Sequence, residues 1–132
     1  MKLNIEDLKN ITPVGKEIEL EFEKGYSGEQ SSIKVRVYPL TVQEKITIQK
    51  ESDELNKLIK IKERTEAEDA RLIELNDLLN VEYAFFTTSK SIDGITREFI
   101  KENFPKAWYQ KLFTAALEAE GIKSSDIEKE KN

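Results

Sequence analysis

Residues 83–121 read YAFFTTSKSIDGITREFIKENFPKAWYQKLFTAALEAEG, and the rest of the chain is organised around this stretch. Eight of the eleven aromatics lie between Tyr83 and Phe113, including the single tryptophan, Trp108. Within it, Trp108, Tyr109, Leu112, Phe113, Ala115, Ala116, Leu117 and Ala119 recur at helical spacing and make one wide apolar face. Pro105 suits the first helical position, where its missing N–H costs nothing. Gly121 suits a left-handed residue just past the end, with Ile122 touching Leu117 in a Schellman-type closure. The expected helix is 105–120. A shorter one, 96–103, precedes it, capped by Thr96 and leaning on Phe99, Ile100 and Phe104.

Upstream of these helices, EYAFF continues a second helical pattern. Leu72, Leu75, Leu78, Leu79, Tyr83, Phe85 and Phe86 give it a face, and Thr65-Glu-Ala-Glu68 forms a capping box at its start, so the helix is expected over 66–88. Glu66 and Asp69 add favourable negative charge to its first turn. Asp93-Gly94 marks the turn that follows. Thr41-Val-Gln-Glu44 is another capping box, opening a helix over 42–62 whose face is Val42, Ile46, Leu55, Leu58 and Ile59. Thr47 and Ile48 weaken its middle through β-branching. The two long helices are expected to be antiparallel, joined near 62–65. No Gly or Pro breaks the join, so one continuous helix is the other reading.

Before Pro39 the period changes to two. Ile18, Leu20 and Phe22 alternate with Glu17, Glu19, Glu21 and Glu23; Ile33, Val35 and Val37 alternate with Lys34, Arg36 and Tyr38. Gly25, Ser27 and Gly28 separate the runs. A β-hairpin follows, with strands 16–23 and 32–38, glutamates facing basic residues across the ladder, and apolar faces covering a helix. Leu3, Ile5, Leu8 and Ile11 permit one or two helical turns from Asn4, ended by Thr12-Pro13. The expected fold is α+β: an N-terminal hairpin packed on a bundle of about four helices, one domain over 1–122, with a polar, frayed tail over 123–132.

Composition narrows the chemistry. A chain of 132 residues with 38% apolar and 36% charged side chains supports one core under a charge-rich surface. The formal charge of −5, with both signs interspersed, argues against a phosphate-backbone binder. There is no cysteine and no histidine, which removes thiolate chemistry, disulfides, and the commonest general base and metal ligand. No apolar run approaches a membrane span or a signal peptide core, so the expectation is a cytoplasmic, non-secreted protein. Glu66, Glu68 and Asp69, or Glu17, Glu19 and Glu21, are close in sequence but lie in stretches that read as exposed, where no carboxyl is desolvated for acid–base work. Asp53, Glu54 and Asp69 lack calcium-loop spacing. Ser89, Lys90 and Ser91 fit a loop better than a nucleophilic pair. No enzyme activity, cofactor or metal is expected. The aromatic cluster has two readings: a core in which Trp108, Phe113, Phe85 and Phe86 meet under the hairpin, or a groove for a partner helix formed by Trp108, Tyr109, Leu112 and Phe113, with Tyr109 on the exposed side.

In its order of elements the chain resembles the tail assembly chaperones of long-tailed bacteriophages and related proviruses. The resemblance rests on IKVRVYPLTVQEK, a strand ending in Pro-Leu-Thr that opens a helix; on the long polar helical region after it; and on SIDGITREFIKENFPKAWYQKLFTAALEAEGI, a short helix, a staple and a closing helix. It covers most of 33–122. It implies a non-enzymatic role: binding the long apolar tape-measure protein, or another tail component, inside the host cell while tube subunits polymerise. A small acidic adaptor or inhibitor of a basic partner is the alternative, supported by the net charge and the glutamate-lined strand, and a wide apolar helix is also open to self-association.

Overall fold

Alternating apolar and charged residues build the sheet first. In a computed structural model, which describes residues 2, 4–8, 15–24 and 28–121, β1 (Lys16–Lys24) and β2 (Glu29–Val37) pair antiparallel. The register sets Ile18 opposite Val35, Leu20 opposite Ile33 and Lys16 opposite Val37. On the other face, Glu19 lies opposite Lys34 and Glu17 opposite Arg36, with 4.0 Å between carboxylate and guanidinium. β2 starts at Glu29 rather than 32. Its first residues, Glu29, Gln30 and Ser31, pair through backbone opposite Lys24, Glu23 and Phe22, and polar strand ends of this kind carry no alternation. Before the sheet, α1 (Ile5–Leu8) is a single turn with Ile5 exposed. The Thr12-Pro13 stop, the Gly25–Ser27 part of the turn, the Ile122–Leu117 closure and the 123–132 tail lie outside the described residues.

The helix expected over 42–62 is two helices. α2 (Val42–Thr47) starts with Thr41 in a complete capping box, and α3 (Gln49–Lys60) follows after Ile48 departs from helical geometry (φ −104°, ψ 5°). The break falls at the β-branched pair. Thr47 bonds back to the Gln43 carbonyl at 2.9 Å, which loosens a helix turn, while the Ile48 side chain is buried with Leu40 and Phe86. α4 (Glu66–Thr88) begins at the second capping box, Thr65 with Glu68, and folds back so that Arg71 reaches Glu54. Two separate helices, not one, therefore span 49–88. α5 (Arg97–Asn103) is capped by Thr96, whose hydroxyl accepts from the Phe99 N–H. α6 (Lys106–Ala119) starts one residue later than its proline suggested. Pro105 is the cap itself, extended at ψ 147°, and its carbonyl accepts from Trp108. Gly121 takes φ +91°, the left-handed conformation that closes a helix C-terminus.

Hairpin, α6 and the end of α4 enclose the main core. Leu20, Val35 and Val37 from the sheet meet Trp108, Leu112, Ala115 and Ala116 from α6, with Ala84 and Ile100 closing the sides. The Trp108 indole N–H donates to the Glu21 carbonyl at 2.7 Å, which fixes α6 against β1. At the far end, Tyr38 N–H bonds Thr87 O and the Ser91 hydroxyl bonds Arg36 O, stitching α4 to the end of β2. Thr87 and Thr88 are wholly buried there. Both hydroxyls donate to the Ala84 carbonyl, so neither is left without a partner. The aromatic set does not meet as one cluster under the hairpin. Trp108 joins the main core, Phe86 sits with Leu40 and Ile48 in a second one, and Phe113 is half-buried against Tyr83 at 5.0 Å. Phe85 lies between them, its ring 4.2 Å below the Arg97 guanidinium.

Candidate functional site

A chemically mixed groove of about 800 Å³ lies where α4 passes the junction of α5 and α6. Each wall has a local cause. α4 turns Leu78 and Val81 into the groove at i, i+3, the spacing that stacks side chains on one helical face. Phe104 and Pro105 break the chain between α5 and α6, and Phe104, no longer inside a helix, drops its ring to 5.0 Å from Trp108. Tyr109, on the first turn of α6, completes the apolar floor. Its hydroxyl donates to the Ile100 carbonyl at 3.3 Å, so the ring is held across the α5–α6 corner. Leu78 is 39% exposed and Phe99, which packs edge-on against Phe104, is 51% exposed.

The rims carry opposite charge. Glu74, Asp77 and Glu82 stand on the α4 side, and Lys101 and Lys106 on the α5–α6 side. Glu74 and Glu82 are engaged, with Arg71 at 3.0 Å and Arg97 at 2.8 Å. Asp77, Lys101 and Lys106 are exposed and form no ion pair among the described residues. Burial raises the Tyr109 phenol above its usual pKa, and the Asp77 carboxylate beside it adds to the shift.

Of the four residues expected to face a partner, the structure gives the groove only Tyr109. Trp108 is 8% exposed and Leu112 1%, both spent on the hairpin, and Phe113 leans on Tyr83. Leu78, Val81, Phe104, Asp77, Lys101 and Lys106 were not signalled by the sequence as a site. They come from three elements, and only Phe104, flanked by a helix end and a proline, carried a local cue. A smaller cleft of about 290 Å³ lies between β1 and α6, bridged by the ion pair of Lys16 with Glu118.

The carboxylates weighed for chemistry are placed in scaffold roles. Glu68 accepts from the Thr65 N–H, Asp69 pairs with Arg64 at 2.7 Å, and Asp53 accepts from Gln49. Glu54 takes a bidentate contact from Arg71 at 2.6 and 3.0 Å, and that hydrogen bonding holds its carboxyl below the ordinary range. Glu17, Glu19 and Glu21 line the exposed sheet face, where Ser32 donates to Glu19. Lys90 pairs with Glu44, and the Ser91 hydroxyl is held by backbone carbonyls. Among the described residues no group of three or more acidic side chains is gathered to hold a metal, and no helix is long and apolar enough to cross a membrane. Compared with known proteins, the chain matches no family model, no curated protein and no solved structure.

Proposed function

We propose that this chain is a non-enzymatic protein-binding module that takes a partner helix in the α4–α5–α6 groove, and that it serves as a tail assembly chaperone for an apolar, helical tape-measure protein in the host cytoplasm. The observation that carries the reading is the groove's floor. Leu78, Val81, Phe104 and Tyr109 form an apolar strip along the groove, Leu78 exposed and the other three partly so, flanked by charged side chains, the arrangement that accepts an amphipathic helix by its apolar face. A charged surface of both signs around such a strip keeps the carrier from aggregating while it shields an apolar client. The order of elements from β2 to α6 supports the chaperone form of the reading.

The glutamate row of β1 speaks for the alternative, an inhibitor of a basic partner, but Lys34 and Arg36 stand directly opposite it and divide its field. Co-expression with long helical proteins encoded beside this chain tests the chaperone reading. The client should stay in solution only when this chain is present, and Leu78→Glu should abolish the complex without lowering the carrier's own unfolding midpoint. A chain that leaves every such neighbour insoluble, or a Leu78→Glu variant that still binds, overturns it. Light scattering on the isolated chain separates client binding from pairing of two copies through the same strip.

A further inference from the structure

Charge on the two walls of the groove is segregated, and that specifies the partner beyond its being a helix. Every acidic group on the rim belongs to α4 and both lysines to the α5–α6 side. Within each wall the engaged groups are those already described: Glu74 with Arg71, Glu82 with Arg97. Asp77 is left on one side and Lys101 and Lys106 on the other, exposed and unpaired among the described residues. A helix bearing one sign along both edges would meet attraction on one wall and repulsion on the other. A helix bearing both signs, one on each edge, meets attraction on both.

We propose that the occupant is an amphipathic helix of a partner protein whose apolar stripe is bordered by lysine or arginine along one edge and aspartate or glutamate along the other. The basic edge lies against Asp77, and the acidic edge against Lys101 and Lys106. This rests on reading the groove as a helix site. The apolar stripe meets Leu78, Val81, Phe104 and Tyr109, and supplies affinity by burial. The edges contribute specificity and rate of encounter more than affinity, because both rims are open to water. Asp77 lines the same groove as Leu78, Val81 and Tyr109, so an approaching cation is drawn over the apolar floor.

Three synthetic helical peptides sharing one apolar stripe test the proposal on the intact chain by fluorescence anisotropy: one with a basic and an acidic edge, one with both edges basic, one with both acidic. The mixed peptide should bind about tenfold more tightly than either other at low salt, the sum of a few exposed pairs, and the margin should shrink as salt rises. Asp77→Lys should weaken the mixed peptide and strengthen the all-acidic one, a reversal that a merely damaged fold does not produce. Equal binding of all three, or an unchanged preference in Asp77→Lys, overturns the charge proposal while keeping a helix groove. Binding of none overturns the groove reading itself.

Discussion

Helices α3 and α6 are close in length, 12 and 14 residues, yet α6 buries Trp108, Leu112, Ala115, Ala116 and Leu117, and α3 buries nothing. The helix between them, α4, shows the same divide along its own length. Its first half contributes Leu75 to the interior; its second half contributes Ala84, Phe86, Thr87 and Thr88. One end of the molecule is therefore a body held by packed apolar surface. The other is an arm of two helices held by Leu75, the Thr65 cap and the Arg71–Glu54 contact. α6 is restrained by both strands of the sheet and by α4, whereas α3 lies against α4 and the short α2 alone among the elements with substantial contact. Regions with few buried contacts open at lower free energy than the body that anchors them.

Five substitutions test this division between body and arm. Leu112→Ala, in the body, should cost the most, about 3–5 kcal/mol, from lost transfer energy and the cavity left under the hairpin; urea unfolding reads it directly. Leu75→Ala should cost about 2–3 kcal/mol and act locally, raising amide exchange in α3 and the first half of α4 while β1, β2 and α6 stay protected. Uniform loss of protection would mean that arm and body are one cooperative unit. Thr65→Ala removes a hydroxyl acceptor from the Glu68 N–H and should lower stability by about 1 kcal/mol. The matching Thr96→Ala in the body allows the two caps to be compared in the same thermal scans. The smallest effect concerns pH. The folded-state pKa of Glu54 lies below its ordinary 4.5, so its pairing stabilises the arm at neutral pH and is lost as pH falls below 4.5 through the lower folded value. An acid titration of Arg71→Gln should accordingly be flatter than that of the wild type in that window, and a steeper one would place the acid sensitivity elsewhere.

Local chemistry announced much of this. The caps at Thr41, Thr65 and Thr96 formed as their sequences indicated, because a hydroxyl three residues before an N–H is a contact within one turn. The hairpin followed from strict alternation, and 66–88 from a cap plus a long apolar period. What periodicity does not show is how far a neighbour covers a face. The arc of α6 is wide, and apart from the hydroxyl that marks Tyr109 for the exposed side, the sequence pattern does not separate Trp108, Leu112 and Phe113. Trp108 and Leu112 are buried in the core with the hairpin, Tyr83 takes one side of Phe113, and Tyr109 is left at the corner where α5 arrives. The groove was invisible for the same reason: Leu78 read as an inward leucine of α4, and nothing local says that α5 and α6 diverge beside it. Pro105 and Ile48 each shifted a boundary because a cap and a first helical turn make similar demands on proline, and because the Ile48 side chain gains burial against Phe86 by leaving the helix.

The hydrogen bond from the Trp108 indole to the Glu21 carbonyl spans 87 residues of chain. Closing a loop of that size costs about 4 kcal/mol of chain entropy before any contact repays it. At ordinary synthesis speeds the hairpin emerges roughly 4–17 s ahead of the helix that covers it. Through that interval Leu20, Val35 and Val37 have no α6 to lie against, while α3 and α4, whose contacts are local in sequence, are free to pair within microseconds of emerging. The arm's pairing is thus short-range in sequence and the body's long-range, so the core that anchors the molecule closes only once its last helix is made.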